Sequence, residues 1–184
     1  DRADIEICGK DLTAANKIYA FNKNTCVIMQ NGGVVDFAAL NAGAILECYY
    51  GGNYFADGLI QILKGKSPSG RLAETFPVCI ENAPSCLSMG VSDKIVYAEG
   101  DYIGYKYYVK KKIPVLYPFG FGLSYADIKY NSFTLDCNKV SVKSSVSGKI
   151  ELENASAISA KEVIQIYFDN GKIKKLVYFD KISL

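Results

Sequence analysis

The sequence predicts an α/β fold, a mostly parallel-sheet α/β sandwich, followed by a partial antiparallel β-sandwich. Three observations carry this. Helix-period segments alternate with short apolar runs through the first two thirds of the chain. The clearest of those runs are continuously apolar, as strands covered on both faces are. After about Tyr125 the pattern changes to brief β-rich runs separated by Ser, Gly, Asn and Asp, which suits antiparallel strands.

Leu12, Ala15, Ile18, Tyr19 and Asn22 recur at helical spacing, with Asp11 or Thr13 available as a cap. Residues 25–30 form a β-branched apolar run stopped by Asn31-Gly32-Gly33, a buried strand and turn. Residues 44–48 repeat this pattern and end at Gly51-Gly52. Asn53 is placed to cap the next helix, which carries Phe55, Leu59, Ile62 and Leu63 and stops at Gly65. Residues 72–76 read as a short extended segment closed by Pro77, and 78–100 as a long irregular loop. Loops of that length are usually functional or interfacial. Tyr102, Tyr105, Tyr107 and Tyr108 make the most aromatic tract, and Pro118-Phe119-Gly120-Phe121-Gly122 is a strong break in the chain beyond it. Val140 with Val142, Ile150 with Leu152, and residues 163–168 read as strands of the second unit. The boundary falls near residues 122–130, giving units 1–124 and 125–184. The second is short for a complete sandwich.

Composition narrows the chemistry. The chain has 184 residues, one large domain or slightly more. With 49% apolar and 22% charged residues it is not disordered. Lys and Arg number 21 against 19 Asp and Glu, which provides no field for nucleic acid or an anionic membrane. No uncharged stretch is long enough to span a bilayer. Histidine is absent, which excludes Ser-His, Cys-His and His-ligated metal mechanisms within these residues. Cys8, Cys26, Cys48, Cys79, Cys86 and Cys137 include no CxxC pair and read as reduced structural thiols, leaning the compartment towards cytoplasm. The opening Asp1-Arg2-Ala3-Asp4 is no signal peptide and suggests a trimmed fragment.

Carboxylates remain as candidate catalysts. Glu47, Glu74, Glu99 and Asp101 lie at strand ends or in loops, where α/β proteins gather their sites and where a pair could act on a glycosidic bond. A solvated or hydrogen-bonding role is the commoner fate of each. Arg71, after the Pro68-Ser69-Gly70 turn, is placed to pair with one of them, with a structural salt bridge as the default. The tyrosine tract could stack on sugar rings, but core or interface packing is the ordinary reading. Gly65-Lys66-Ser67 lacks the earlier glycine of a phosphate loop and follows a helix, so it reads as a helix cap and turn. Gly120-Phe121-Gly122 lacks the third glycine of a dinucleotide fingerprint. Asn154-Ala155-Ser156 is a formal glycosylation sequon.

Six ordered blocks together resemble the C-terminal half of glycoside hydrolase family 3 β-glucosidases. They are Asp1-Arg2; Asn24-Thr25-Cys26-Val27-Ile28-Met29 with Gly32-Gly33; Ile45-Leu46-Glu47 through Gly51-Gly52; Pro68-Ser69-Gly70-Arg71-Leu72; Tyr97-Ala98-Glu99-Gly100 with Gly104-Tyr105; and Pro118-Phe119-Gly120-Phe121-Gly122-Leu123-Ser124-Tyr125. Ala160 to Tyr167 resembles a strand of the fibronectin-III-like domain that comes next in the family. The resemblance implies retaining hydrolysis of terminal β-glucosides, with no metal or organic cofactor. An Asp nucleophile would lie on a barrel domain and a Glu acid/base just upstream of the Asp-Arg pair. Neither catalytic residue maps onto these 184 positions. The resemblance makes Asp1 and Arg2 the candidate substrate-binding residues, and the missing N-terminal barrel and a β-glucoside or oligosaccharide the expected partners. The family's proline after Gly-Gly is Val34, its Trp-Tyr-Pro-like segment is Tyr49-Tyr50-Gly51, and two of its glycines are Ser156 and Ala160. The connection between Asn170 and Leu176 is short, and the chain is expected to stop before the last sandwich strands. These departures keep an alternative open: a standalone non-catalytic carbohydrate-binding or subunit-docking module, a degenerate remnant.

Overall fold

The computed structural model describes residues 4–87, 93, 94, 96, 97, 99–137, 139, 141 and 144–184. Helix α1 (Gly9–Phe21) leads into strand β1 (Cys26–Met29), and β2 (Ala44–Glu47) pairs with it in parallel, Val27 opposite Ile45 and Met29 opposite Glu47. A single 3-10 turn, Gly52–Tyr54, opens α2 (Phe55–Leu63). Strand β3 (Phe76–Pro77) pairs antiparallel with β4 (Val115–Tyr117), and α3 (Tyr105–Lys111) precedes β4. The α/β part therefore holds one parallel and one antiparallel pair among the described residues. The β-rich part has four strands in two antiparallel pairs: β5 (Ile128–Leu135) with β6 (Gly148–Asn154), and β7 (Lys161–Asp169) with β8 (Lys174–Ser183).

Several boundaries differ from expectation. Helix α1 starts at Gly9, ahead of both proposed caps; Thr13 donates its hydroxyl to the Gly9 carbonyl at 2.7 Å, and Asp11 falls in the first turn, where its charge suits the helix dipole. Asn53 lies inside the 3-10 turn and caps nothing. Residues 72–76 supply ladder pairing only at Phe76, and the 78–100 loop carries two short 3-10 turns, Ile80–Asn82 and Pro84–Leu87. Val140 and Val142 lie outside the described residues. The end of α2 is as expected: Gly65 takes φ +102°, and Lys66 N–H closes the turn on the Gln61 carbonyl at 3.0 Å. All six cysteines are free thiols. No helix among the described residues is long and apolar enough to cross a membrane.

The core is small. Val35, Phe37 and Phe76 are its buried members, with Phe37 stacked on Phe76 at 5.5 Å and Tyr117 closing edge-on against Phe76 at 6.2 Å. Met29, Ile45, Leu72 and Leu116 pack around it, so β1–β2 and β3–β4 share one apolar centre. Neither α1 nor α2 buries a residue; Phe21 is 96% and Tyr54 81% exposed. Accessible surface totals 13030 Å². A compact chain of this mass exposes about 8,800 Å². The excess, roughly 4,000 Å², shows a chain less closed on itself than a compact globule of its mass.

A polar joint ties the two parts together. Arg71 forms an ion pair with Glu162 of β7, both side chains about nine-tenths buried. Tyr130 of β5 donates its hydroxyl to the other Glu162 oxygen at 2.9 Å. Burial, and then the hydrogen bond and charge of Glu162, push the Tyr130 phenol up to about 12. Beside this joint Ser67 and Ser124 share a hydroxyl contact of 2.8 Å, and Tyr125 N–H donates to Ser67 at 3.1 Å. A Cβ at Gly122 would stand 2.5 Å from the Gly70 carbonyl oxygen, so the two loops meet this closely only because Gly122 has no side chain.

Candidate functional site

Strands β1 and β2 run in parallel, so their C-terminal ends lie at one edge, where open α/β sheets place their ligands. Glu47 is the last residue of β2 and projects into this edge as a half-buried carboxylate. Its Oε2 accepts from Asn31 Nδ2 at 3.2 Å, and its Oε1 accepts from the Tyr49 backbone N–H at 3.0 Å. Asn31 also donates to the Gly33 carbonyl at 2.7 Å, which closes the Gly-Gly turn after β1. Tyr49 sits at φ +48°, an uncommon conformation for an aromatic residue and of the kind that clusters at functional edges.

Burial pushes the Glu47 carboxyl above its ordinary range; the two hydrogen bonds oppose this, and the Glu74 charge adds to it. Burial and the neighbouring Glu74 and Glu47 carboxylates push the Tyr49 phenol up strongly. Its hydroxyl is buried and lies beside Glu74 outside hydrogen-bond geometry. Asn31 Oδ1 and Thr75 Oγ1 are likewise buried without a partner. The site is thus a four-residue polar constellation, Asn31, Glu47, Tyr49 and Glu74. Each Glu47 oxygen accepts one hydrogen bond, so this carboxyl braces the turns that follow β1 and β2.

The raised Glu47 value implies a pH dependence. The folded state then binds more protons than the unfolded one above the ordinary glutamate value of 4.5. Stability attributable to this group is therefore present at and below 4.5 and falls as pH rises through the raised folded-state value. Urea midpoints measured from pH 4 to pH 7 are expected to decline less in Glu47→Gln than in the parent chain, because glutamine keeps an acceptor without the charge. Parallel profiles for the two would remove Glu47 as the cause.

The four carboxylates do not form one cluster. Glu47 and Glu74 come together. Glu99 and Asp101 lie in the turn before α3 and line neither of the two hollows beside that helix. Arg71 pairs with none of the four; its partner is Glu162, 91 residues away, which no local signal could have indicated. The tyrosine tract serves packing: Tyr105 stacks on Phe119 at 4.8 Å, Tyr107 meets Tyr108 edge-on, and Lys110 lies over Tyr102. Gly65-Lys66-Ser67 is a helix end, with Lys66 bound to Gln61 at 2.8 Å. In the sequon, Asn154 Oδ1 accepts from the Ser156 hydroxyl at 2.7 Å and Nδ2 donates to the Ile158 carbonyl. Asp1 and Arg2 lie outside the described residues. No three His, Cys, Asp or Glu side chains among the described residues converge as metal ligands. Glu74 and Thr75 also line a hollow of about 500 Å³, walled by Ile80, Pro84, Tyr105 and Phe119.

Comparison with known proteins gives this edge its context. The model of the glycosyl hydrolase family 3 C-terminal domain matches residues 1–125. The chain belongs to glycosyl hydrolase family 3. Thermostable beta-glucosidase B of Acetivibrio thermocellus is 33% identical across all of this family 3 chain, which covers 26% of that relative. An exo-alpha-(1->6)-L-arabinopyranosidase of Bifidobacterium longum is 34% identical over 94% of the chain and 23% of its own length. Among solved structures, a family 3 beta-glucosidase of Bifidobacterium adolescentis superposes on the whole chain with a TM-score of 0.90 and 32% identity, and the chain covers 28% of it. The beta-glucosidase of Kluyveromyces marxianus in complex with glucose gives 0.86 at 26% identity, with 23% of that chain covered. The family 3 chain spans about a quarter of the length of these relatives.

Proposed function

We propose that this family 3 chain forms the α/β and fibronectin-III-like part of a retaining β-glucosidase, residues 1–124 and 125–184 respectively. In that enzyme it caps the active site of an N-terminal barrel domain. One observation carries the reading: the chain superposes in full on a solved family 3 beta-glucosidase at a TM-score of 0.90 while covering 28% of it. The open surface agrees. Two helices that bury nothing, and roughly 4,000 Å² more accessible area than a compact chain of this mass, suit a part that is covered in the whole enzyme.

Catalysis then depends on carboxylates outside these residues, with Asp1 and Arg2 the positions nearest the acid/base. A retaining hydrolase needs two carboxyl groups about 5 Å apart, one as nucleophile and one as acid/base. This reading places that pair outside these residues and gives Glu47 the bracing of the turns after β1 and β2. The substrate is a terminal β-glucoside or the glycoside of a related sugar, as the relatives include an arabinopyranosidase beside the beta-glucosidases.

The test compares the 184-residue chain with the same chain joined to a family 3 barrel, assayed on an aryl β-glucoside. The isolated chain is expected to show no turnover above the uncatalysed rate, and the joined protein to hydrolyse with retention of anomeric configuration. Hydrolysis by the isolated chain, lost in Glu47→Gln or Glu74→Gln, would overturn the assignment of the chemistry to the barrel. Specific binding of cellobiose by the isolated chain without turnover would favour a carbohydrate-binding module.

A further inference from the structure

The hollow where α3, β4 and β7 meet has no part in the chemistry above. It is open to solvent and measures about 420 Å³, within the range of small-molecule pockets. Tyr105, Tyr108, Phe119, Tyr167, Ile113 and Pro118 supply most of its apolar wall. That wall is braced: Tyr105 stacks on Phe119 at 4.8 Å, meets Tyr167 edge-on at 5.9 Å, and accepts the Leu176 N–H at 2.7 Å.

Glu74 lies in the adjoining hollow, which shares Thr75, Tyr105, Tyr108 and Phe119 with this one, while the lining of this hollow carries charge of one sign. Its lining contains no acidic residue, and its two charged members are Lys112 and Lys174. Among the described residues neither lysine makes an ion pair. Lys174 rests over the Tyr167 ring at 4.8 Å. Asp169 stands opposite Lys174 in the β7–β8 register, but its carboxylate accepts from the Gly171 N–H in the hairpin turn. Lys112 ends α3 at φ +55° and ψ +36°, the left-handed position that helix ends usually give to glycine. A lysine there costs backbone strain, and such strain collects at binding sites.

We propose that this hollow binds an amphipathic monoanion, a flat aromatic acid of hydroxycinnamate size, its ring among the tyrosines and Phe119 and its carboxylate against Lys112 and Lys174. Aromatic walls favour a planar ring over a flexible chain. Two ammonium groups without an ion-pair partner among the described residues select a carboxylate over a neutral sugar. The proposal stands apart from the glycosidase reading, since no residue of the hollow is assigned to hydrolysis.

The experiment titrates p-coumarate into the intact protein by calorimetry, with its methyl ester as the neutral control. The acid is expected to bind one to one and about tenfold more tightly than the ester, an advantage that shrinks as salt rises from about 50 mM to about 500 mM. Lys174→Gln and Lys112→Gly are each expected to weaken the acid about threefold, and both together about tenfold. Lys112→Gly carries its own folding control, because glycine relieves the left-handed strain. Its melting temperature is expected to match or exceed the parent's while binding falls. Three results would overturn the proposal: no heat up to about 10 mM acid, equal affinity for acid and ester, or unchanged acid affinity in the doubly substituted protein.

Discussion

Arg71→Ala is expected to lower the unfolding free energy by about 3–5 kcal/mol, the usual cost of breaking a buried ion pair from one side. The geometry puts Arg71 in that class. Its side chain and that of Glu162 are 11% and 10% exposed, so water does little to screen the charge left behind. Removing the guanidinium strands a carboxylate that Tyr130 alone can satisfy, through one 2.9 Å hydrogen bond. For a chain of this size the melting temperature should fall by roughly 10 °C, at about 2–4 °C per kcal/mol. Arg71→Met with Glu162→Leu is expected to recover most of the loss, because an apolar pair of similar volume leaves no charge unanswered. Urea denaturation of the four proteins in a double-mutant cycle measures the coupling directly. A single-substitution cost under about 1 kcal/mol would show that the pair is solvated in solution.

That result bears on how the Pro-Ser-Gly-Arg-Leu block is read. Its arginine touches no candidate catalytic group. It fastens the α/β part to β7, and Gly122 lets the two loops close on it. The block identifies the family and serves the joint.

Legibility tracks the range of the forces involved. Strands β1 and β2 are readable because their apolar runs are local and continuous and they pair in parallel, but the expected burial is not met: neither strand holds a buried residue, and Ile28 is 40% exposed. Strands β5 and β8 are not. β8 runs Lys174-Lys175-Leu176-Val177-Tyr178-Phe179-Asp180-Lys181, and charges at both ends mask a strand that owes its existence to pairing with β7. Glu47 is legible as a strand-end carboxylate. Its donors are not: Asn31 looks like turn punctuation, and the Tyr49 backbone N–H carries no sequence signal. Asn31 ahead of two glycines is the available hint, since Asn side chains commonly brace such turns. The start of α1 escapes a sequence reading because Cys8 and Gly9 open it with no side-chain cap.

Phe76→Ala is expected to cost about 3–5 kcal/mol, as large-to-small changes at fully buried aromatics do. Phe76 is the one large side chain with no exposed surface at all among the described residues, and it holds Phe37 at 5.5 Å and Tyr117 at 6.2 Å. Because β3 is only two residues long, no neighbouring ladder can shift to fill the void. Phe76→Leu should cost less, about 1–2 kcal/mol, since it keeps most of the volume. Phe21→Ala gives the contrast. At 96% exposure its loss should change the isolated chain by no more than about 0.5 kcal/mol. Joined to a barrel, the same substitution should become costly if α1 is covered there, because the ring would then be buried. Thermal melts of both substitutions in both proteins separate a core that is complete in itself from a surface that is not. Equal costs for Phe21→Ala in the two settings would mean that the α1 face stays open in the joined protein, and the excess accessible area would then need a different cover.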